Sequence, residues 1–347
     1  MTRRTTISAV IAGLVASIAL LAAGCGSSKG ETAGTTDTIV WSGMKVGLIT
    51  DLGQLNDDGF NELAYNGLKR AERELGIKGR VIESRSAADY VPNMTSLARQ
   101  GYDLIIGVGF AQGDAIATAA KRFPDTKFAI VDVDQAFLKG KPTNVQGLLF
   151  QEEQVGYLVG YLAALEAKRA AGDGISAVGG FKEPPVDRFI AGYRAGATAA
   201  VPGIAVKWGY SQDWDDQAKC KELALNQIAA GSEVVFQVAG GCGLGALLAA
   251  KEQGVWGVGV DGDQSFLGPH VLTSALKGVD SAVFLTIKAV QDGTFAGGGN
   301  ATFGLDQEGV GLGKFSPQAD KADIEATQKI EQQIADGTIK NIPTTVG

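Results

Sequence analysis

The chain has 347 residues, 45% of them hydrophobic and 20% charged, enough for two domains of ordinary size, each with a real core. Its net charge is −7 and no basic cluster occurs, which argues against nucleic acid as a partner. With a single histidine, His270, and three cysteines, it lacks the ligand clusters of a transition-metal site and the pieces of a serine–histidine hydrolase.

In chain order, Met1–Thr6 is short and basic through Arg3 and Arg4, and Ile7–Ala23 is an unbroken run of apolar and small residues. Together with Leu21-Ala-Ala-Gly-Cys25 this predicts an export signal over residues 1–24 and a lipid-acylated Cys25, as in a lipobox. Residues 25–43 are Gly/Ser/Thr-rich and predict a flexible tether, so the body is expected on the outer face of the cell membrane. No later segment is long and apolar enough to span a bilayer.

From Lys45 onward, strand-like and helix-like segments alternate. Strands are predicted at Lys45–Thr50, Arg80–Glu83, Asp103–Val108, Lys127–Val133 and Val145–Phe150. The helices between and after them are Asp58–Leu75, Val91–Arg99, Gln112–Arg122 and Gln151–Arg169. The rhythm then restarts. Strands fall at Gly174–Val178, Ala205–Tyr210, Glu233–Val238 and Trp256–Val260, with helices at Pro185–Ala200, Asp215–Ala230 and Leu244–Gln253. A helix over Val279–Asp292, a strand near Thr302–Val310 and a helix over Pro317–Ala335 close the chain. Two such series predict an α/β protein with two doubly wound parallel-sheet domains and a ligand cleft off the carboxyl ends of the strands.

The loops after the strands therefore form one set. They hold Asp51, Asn56, Asp57, Asp58 and Phe60; Phe110; Asp132 and Asp134; Trp214; Gly240 and Gly241; and Asp261. Carboxylates can accept hydrogen bonds from vicinal hydroxyls, and aromatics can sandwich a flat ring. Without phosphate-binding cations, that inventory suits an uncharged sugar or nucleoside. Asp57 or Asp58 could equally cap the helix that follows. The calcium-loop spacing is not met, and the glycine run Ala239–Gly245 lacks the Lys-Ser/Thr of a phosphate loop. Cys220 and Cys242 fall on successive helices and can pair in an exported protein.

Asp51-Leu-Gly-Gln-Leu-Asn-Asp-Asp-Gly-Phe-Asn61 resembles the opening of the basic membrane protein family, lipid-anchored substrate-binding proteins of ABC transporters that include purine-nucleoside receptors. Matches continue at Gly107–Phe110, Gln151–Ala164, Gly179–Phe189, Gly192–Gly196, Phe236–Gly245, Val258–Gln264 and Thr273–Asp280. The resemblance implies a type I periplasmic-binding fold, two doubly wound domains joined by three crossovers. The domains would be 44–150 with about 275–302, and 151–274 with about 303–343.

It also implies that Asn56 and Asp57 face a base edge, that Phe60 stacks on the base and that Trp214 is the second aromatic wall. Asp261 and Lys277 would hold ribose hydroxyls, with Asp132 a further polar contact, Gly240 and Gly241 giving close backbone approach, and Asp51 and Phe110 completing the set. Gly59 and Cys242 stand where the family commonly has Ser and Thr or Ser. No cofactor and no metal are expected. The expected partners are a nucleoside and the permease and ATPase subunits, with the receptor a monomer. The alternatives are a sugar receptor, a sensor for a membrane partner, and a nucleoside hydrolase using Asp51, Asp57 and Asp132.

Overall fold

The computed structural model describes residues 42–347. The export signal, Cys25 and nearly all of the tether lie outside the described residues. Twelve strands form two six-stranded sheets among the described residues. The first contains β1 (Lys45–Ile49), β2 (Lys78–Ile82), β3 (Leu104–Gly107), β4 (Lys127–Val131), β5 (Val145–Phe150) and β11 (Asn300–Phe303), in the order β11-β5-β4-β3-β1-β2. The second contains β6 (Gly174–Gly179), β7 (Ala205–Tyr210), β8 (Val234–Val238), β9 (Trp256–Asp261), β10 (Val271–Lys277) and β12 (Val310–Leu312), in the order β12-β10-β9-β8-β6-β7. Every pairing is parallel except β10 with β12.

Nine α-helices occur among the described residues, eight between strands and the last after β12: α1 (Phe60–Leu75), α2 (Tyr90–Arg99), α3 (Gly113–Arg122), α4 (Glu152–Arg169), α5 (Pro184–Ala200), α6 (Gln217–Ala229), α7 (Gly240–Gln253), α8 (Val279–Gln291) and α9 (Lys321–Ala335). The central strands are buried almost throughout because helices cover both faces; Leu104, Ile105 and Ile106 of β3 have no exposed surface. Burying one such side chain fully is worth about 1.5–3 kcal/mol. α1 turns its Ala64, Leu68 and Ala71 into this core, as their spacing predicts, and ends at Gly76, whose left-handed φ of 63° suits glycine.

α4 and α5 pack backbone to backbone. A methyl group at Gly156 or Gly160 of α4 would strike the carbonyls of Phe189 or Tyr193, and one at Gly192 or Gly196 of α5 would strike those of Glu153 or Tyr157. Glycine at that spacing is what lets the helices touch.

The parallel α/β architecture is the one the alternating pattern predicts. Boundaries differ at several places. α1 starts at Phe60 and not Asp58, because Asp57 and the positive φ of Asp58 (51°) shape a turn before it. β2 starts two residues early, at Lys78, and α9 begins at Lys321 behind the Asp320 cap, not at Pro317. α6 begins at Gln217, capped by Asp216. The glycine run is not a loop: α7 starts at Gly240 and absorbs it.

The single strand expected near Thr302–Val310 is two strands in different sheets, β11 and β12, with a short 3-10 turn at Leu305–Gln307 between them. β10 has no counterpart in the sequence reading. The chain passes between the sheets after Phe150, after Lys277 and between Phe303 and Val310. The second passage thus comes two residues after the expected 275. Among the described residues, no helix is long and apolar enough to cross a membrane.

Candidate ligand-binding site

The carboxyl ends of both sheets converge on one cavity of about 130 Å³. A single water needs about 10–15 Å³ on this scale, so the space is no packing defect. The eleven residues that the resemblance assigns to a ligand line it: Asp51, Asn56, Asp57, Phe60, Phe110, Asp132, Trp214, Gly240, Gly241, Asp261 and Lys277; Asp134 does not. Nor does His270.

Asp51 follows β1 and is buried. Its Oδ1 accepts hydrogen bonds from Tyr90 Oη at 2.6 Å and from its neighbour's amide, Leu52 N, at 2.7 Å. Burial pushes its pKa up to about 6, against the pull of those donors. Gly109, with φ 107°, leaves room for this carboxylate; a methyl group there would overlap it. Asp57 acts as a cap for the helix that follows. Its two oxygens accept from the amides of Gly59 (3.0 Å), Asn61 (2.9 Å) and Glu62 (3.2 Å), so it closes the start of α1 while bordering the cavity. Asp58 is exposed and outside the cavity.

The floor is an ion cluster. Lys277, at the end of β10, is buried, with Nζ 2.7 Å from Asp132 Oδ1 and 3.0 Å from Glu152 Oε1. The aromatic rings of Phe60, Phe150 and Phe189 surround the ammonium, with centroids at 5.1, 4.9 and 5.8 Å. Burial works against its charge, but Asp132, Glu152 and Asp261 together hold it protonated above its ordinary range. The same burial pushes Glu152 and Asp261 each up to about 7, with Lys277 opposing. Glu183, over the cavity, is also pushed up to about 7 by burial and by the charges of Asp51 and Asp132.

Asp132 and Asp261 are counterparts. Val131-Asp-Val-Asp-Gln135 starts at the last residue of β4 and Val260-Asp-Gly-Asp-Gln264 at the last but one of β9, and the first Asp of each has a left-handed backbone, φ 71° and 63°. That conformation is uncommon for a non-glycine residue and turns each carboxylate off its strand end. The cavity is therefore built on one segment used twice, once per sheet.

The sequence reading missed Tyr90, Glu152, Glu183, Phe189, Gln54 and Asp215. Gln54, Glu152, Glu183 and Phe189 fall inside the stretches that carry the resemblance. Gln54 and Asp215 sit on the two sides of the cleft and meet at 3.4 Å, Nε2 to Oδ1.

Two parallel sheets with three passages between them and a cavity at their strand ends define a type I periplasmic-binding solute receptor. Solved structures agree: a solute-binding protein of an ABC transporter system from Aeropyrum pernix K1 superposes with a TM-score of 0.76 at 27% identity, covering 86% of this chain and 94% of that one. A transcriptional activator of the comK gene from Bacillus halodurans superposes at 0.72 with 25% identity, covering 86% and 100%.

The family described as ABC transporter substrate-binding protein PnrA-like matches residues 44–344, and the chain belongs to that family, the basic membrane proteins. Its relatives include the ABC transporter nucleoside-binding protein BmpA of Lactococcus lactis, 35% identical over 95% of this chain and 97% of that protein. The CD4+ T-cell-stimulating antigen of Listeria innocua is 33% identical, covering 97% and 98%. An uncharacterized lipoprotein of Pyrococcus horikoshii is 36% identical, covering 87% and 75%.

Proposed function

We propose that this substrate-binding protein takes a purine nucleoside into the cavity and delivers it to the permease of an ABC importer. The observation that carries the reading is the charge and shape of the lining. Six carboxyl groups line the cavity, from Asp51, Asp57, Asp132, Glu183, Asp215 and Asp261, and Lys277 is the one Lys or Arg among the described residues there. Because Lys277 is already held by Asp132 and Glu152, a phosphate or a carboxylate would enter without a free counter-charge. Phe60, Phe110 and Trp214 supply flat apolar surface for a base, a contact worth roughly 0.5–1.5 kcal/mol beyond area burial. In this reading Asn56 meets the base edge, while Asp261 and Lys277 meet the ribose hydroxyls. Gly240 and Gly241 let the main chain come close. The relative named as a nucleoside-binding protein supports the same class.

Closure of the two sheets about the three passages traps the ligand. The receptor is a monomer, held to the outer face of the membrane through Cys25, in keeping with the relatives described as lipoproteins. It has no cofactor and does not cleave its ligand.

Calorimetry on protein lacking residues 1–25 tests this. Heat is expected with purine nucleosides and none with their monophosphates or with free ribose. Absence of heat with every purine and pyrimidine nucleoside overturns the nucleoside reading, and equal affinity for ribose replaces it with a sugar receptor. Release of free base on overnight incubation overturns the assignment as a pure receptor.

A further inference from the structure

The cavity wall that carries Trp214 and Asp215 is a loop between β7 and α6, held by main-chain bonds and by an ion pair of Asp213 with Lys219 of α6 at 2.6 Å. Ser211 N and Gln212 N donate to the carbonyls of Gly179 and Gly180 at 2.8 and 2.9 Å. Asp213 Oδ1 accepts from the amides of Asp215 and Asp216. Asp216 in turn caps α6 through Ala218 N at 3.0 Å.

The far side of the loop rests on α7. Cys242 N donates to the Trp214 carbonyl at 2.9 Å, and a methyl group at Gly240 would lie 3.4 Å from that same oxygen. The Trp214 ring presses on Gly180, where a methyl group would overlap it, and lies 5.4 Å from the Phe181 ring.

The loop thus hangs on the first turns of two helices at once. A disulfide between Cys220 of α6 and Cys242 of α7 ties those two turns together, and both residues are fully buried. Farther along, α6 is held by Gln227, which donates to the Ala177 carbonyl at 2.9 Å, and by Leu223, Ala224 and Ile228, but in its first turn Gln217, Ala218 and Lys219 are exposed and Cys220 alone is buried. A first turn whose one buried side chain is Cys220 can shift against α7 unless it is cross-linked. Any such shift moves the Cys242 amide relative to the Trp214 carbonyl. It also moves Asp215 away from Gln54 across the cleft.

We infer that the Cys220–Cys242 bridge positions the aromatic wall of the ligand cavity, holding Trp214 over the ligand and Asp215 against Gln54. Cys220 and Cys242 are positioning residues: neither lines the cavity, and both act through Trp214. The inference rests on the reading of the cavity as a site for a ligand with an aromatic face.

The test is a cycle of four proteins: the native chain, Cys220→Ala/Cys242→Ala, Trp214→Ala, and the triple variant, each titrated with guanosine and inosine. Removing the bridge is expected to weaken binding about tenfold in the native background, through faster release. It is expected to change binding less than about twofold when Trp214 is already gone, because non-additivity marks residues that act through one another. Equal losses in both backgrounds, or no loss in either, overturn the inference.

Hydrogen exchange supplies a readout that needs no nucleoside. Protection of the amide at position 242, corrected for the intrinsic rate of the residue there, and of the segment 211–217 is expected to fall without the bridge, while the amides of β3 stay unchanged. Unchanged protection at position 242 overturns the inference even if the nucleoside reading fails. Should the double alanine variant not fold, Cys220→Val/Cys242→Ala, which refills the apolar volume, is read in the same two ways.

Discussion

Lys277 Nζ, at the end of β10 in the second sheet, lies 2.7 Å from Asp132 Oδ1, beyond β4 of the first, and Glu152 completes the cluster at 3.0 Å. The contact joins positions 145 apart in sequence and fastens the two sheets together at the floor of the cavity. Replacing Lys277 by Met, one atom shorter, keeps an apolar stem among the aromatic rings but strips Asp132 and Asp261 of their counter-charge and leaves Glu152 only Arg188, at 3.5 Å. Breaking a buried pair from one side typically costs about 3–5 kcal/mol. Urea unfolding at neutral pH is expected to show a loss in that range for Lys277→Met, with a smaller loss in mild acid, where Glu152 and Asp261 can take up protons. A loss below about 1 kcal/mol at neutral pH would mean that the carboxylates are better hydrated than their burial indicates.

Stability should also depend on pH in the direction opposite to ordinary acid denaturation. Asp51 is pushed up to about 6, and Glu152, Glu183 and Asp261 to about 7. Unfolded, such groups titrate near 4. The folded chain therefore holds more protons between about pH 4 and about pH 7, and stability falls as pH rises through that window. Asp213, held at about 2 by Lys219 and two amides, acts in the reverse sense but only below the window. The Tm of the ligand-free protein is expected to be higher at about pH 5.5 than at about pH 8. Glu183→Gln is expected to flatten the slope. A Tm that rises steadily from pH 5.5 to pH 8 contradicts the cluster's electrostatics.

If Asp261 meets the ribose, its loss should be felt by nucleosides and not by free bases. Asp261→Ala removes an acceptor of two hydroxyl hydrogen bonds, and leaving a hydroxyl unpaired costs about 1–3 kcal/mol. The affinity for guanosine is expected to fall by roughly 5- to 150-fold while that for guanine changes little. Titration calorimetry with both ligands decides it, and parallel losses would remove Asp261 from the ribose.

How much of this was legible in the sequence depended on how local its cause was. The strands up to β9 announced themselves because each is a short apolar run bounded by turns, and the residues after them could be read as one set. β10 was not legible. Val271–Lys277 ends in a lysine, which reads as solvated, and its burial is made possible only by carboxylates more than a hundred positions earlier. Glu152 looked like an ordinary acid at a helix start, where such residues are common. Asp57 could be read two ways because a cap and a ligand contact ask for the same short carboxylate; the capping part becomes visible only in its three amide distances. The pairing of Gln54 with Asp215 belongs to the cleft, and nothing in either neighbourhood foretells it.

The contact between α4 and α5 offers a test in which two local effects oppose each other. Gly196→Ala gains about 1 kcal/mol of helix propensity and reduces the freedom of the unfolded chain. Against that, its new methyl group would run into the Tyr157 carbonyl, a backbone atom inside α4 that cannot rotate away. Overpacking of this kind costs about 1–3 kcal/mol, and here α5 as a whole would have to back off. Because Gly156, Gly160 and Gly192 meet the facing helix in the same manner, a shift that relieves one clash opens gaps at the other three. The packing penalty is expected to win, with a net loss of about 1–2 kcal/mol in urea unfolding for Gly196→Ala. Gly160→Ala, which meets the Tyr193 carbonyl from the opposite side, is expected to cost as much. A stabilised Gly196→Ala would show that propensity outweighs the helix contact and that α4 and α5 have slack to separate.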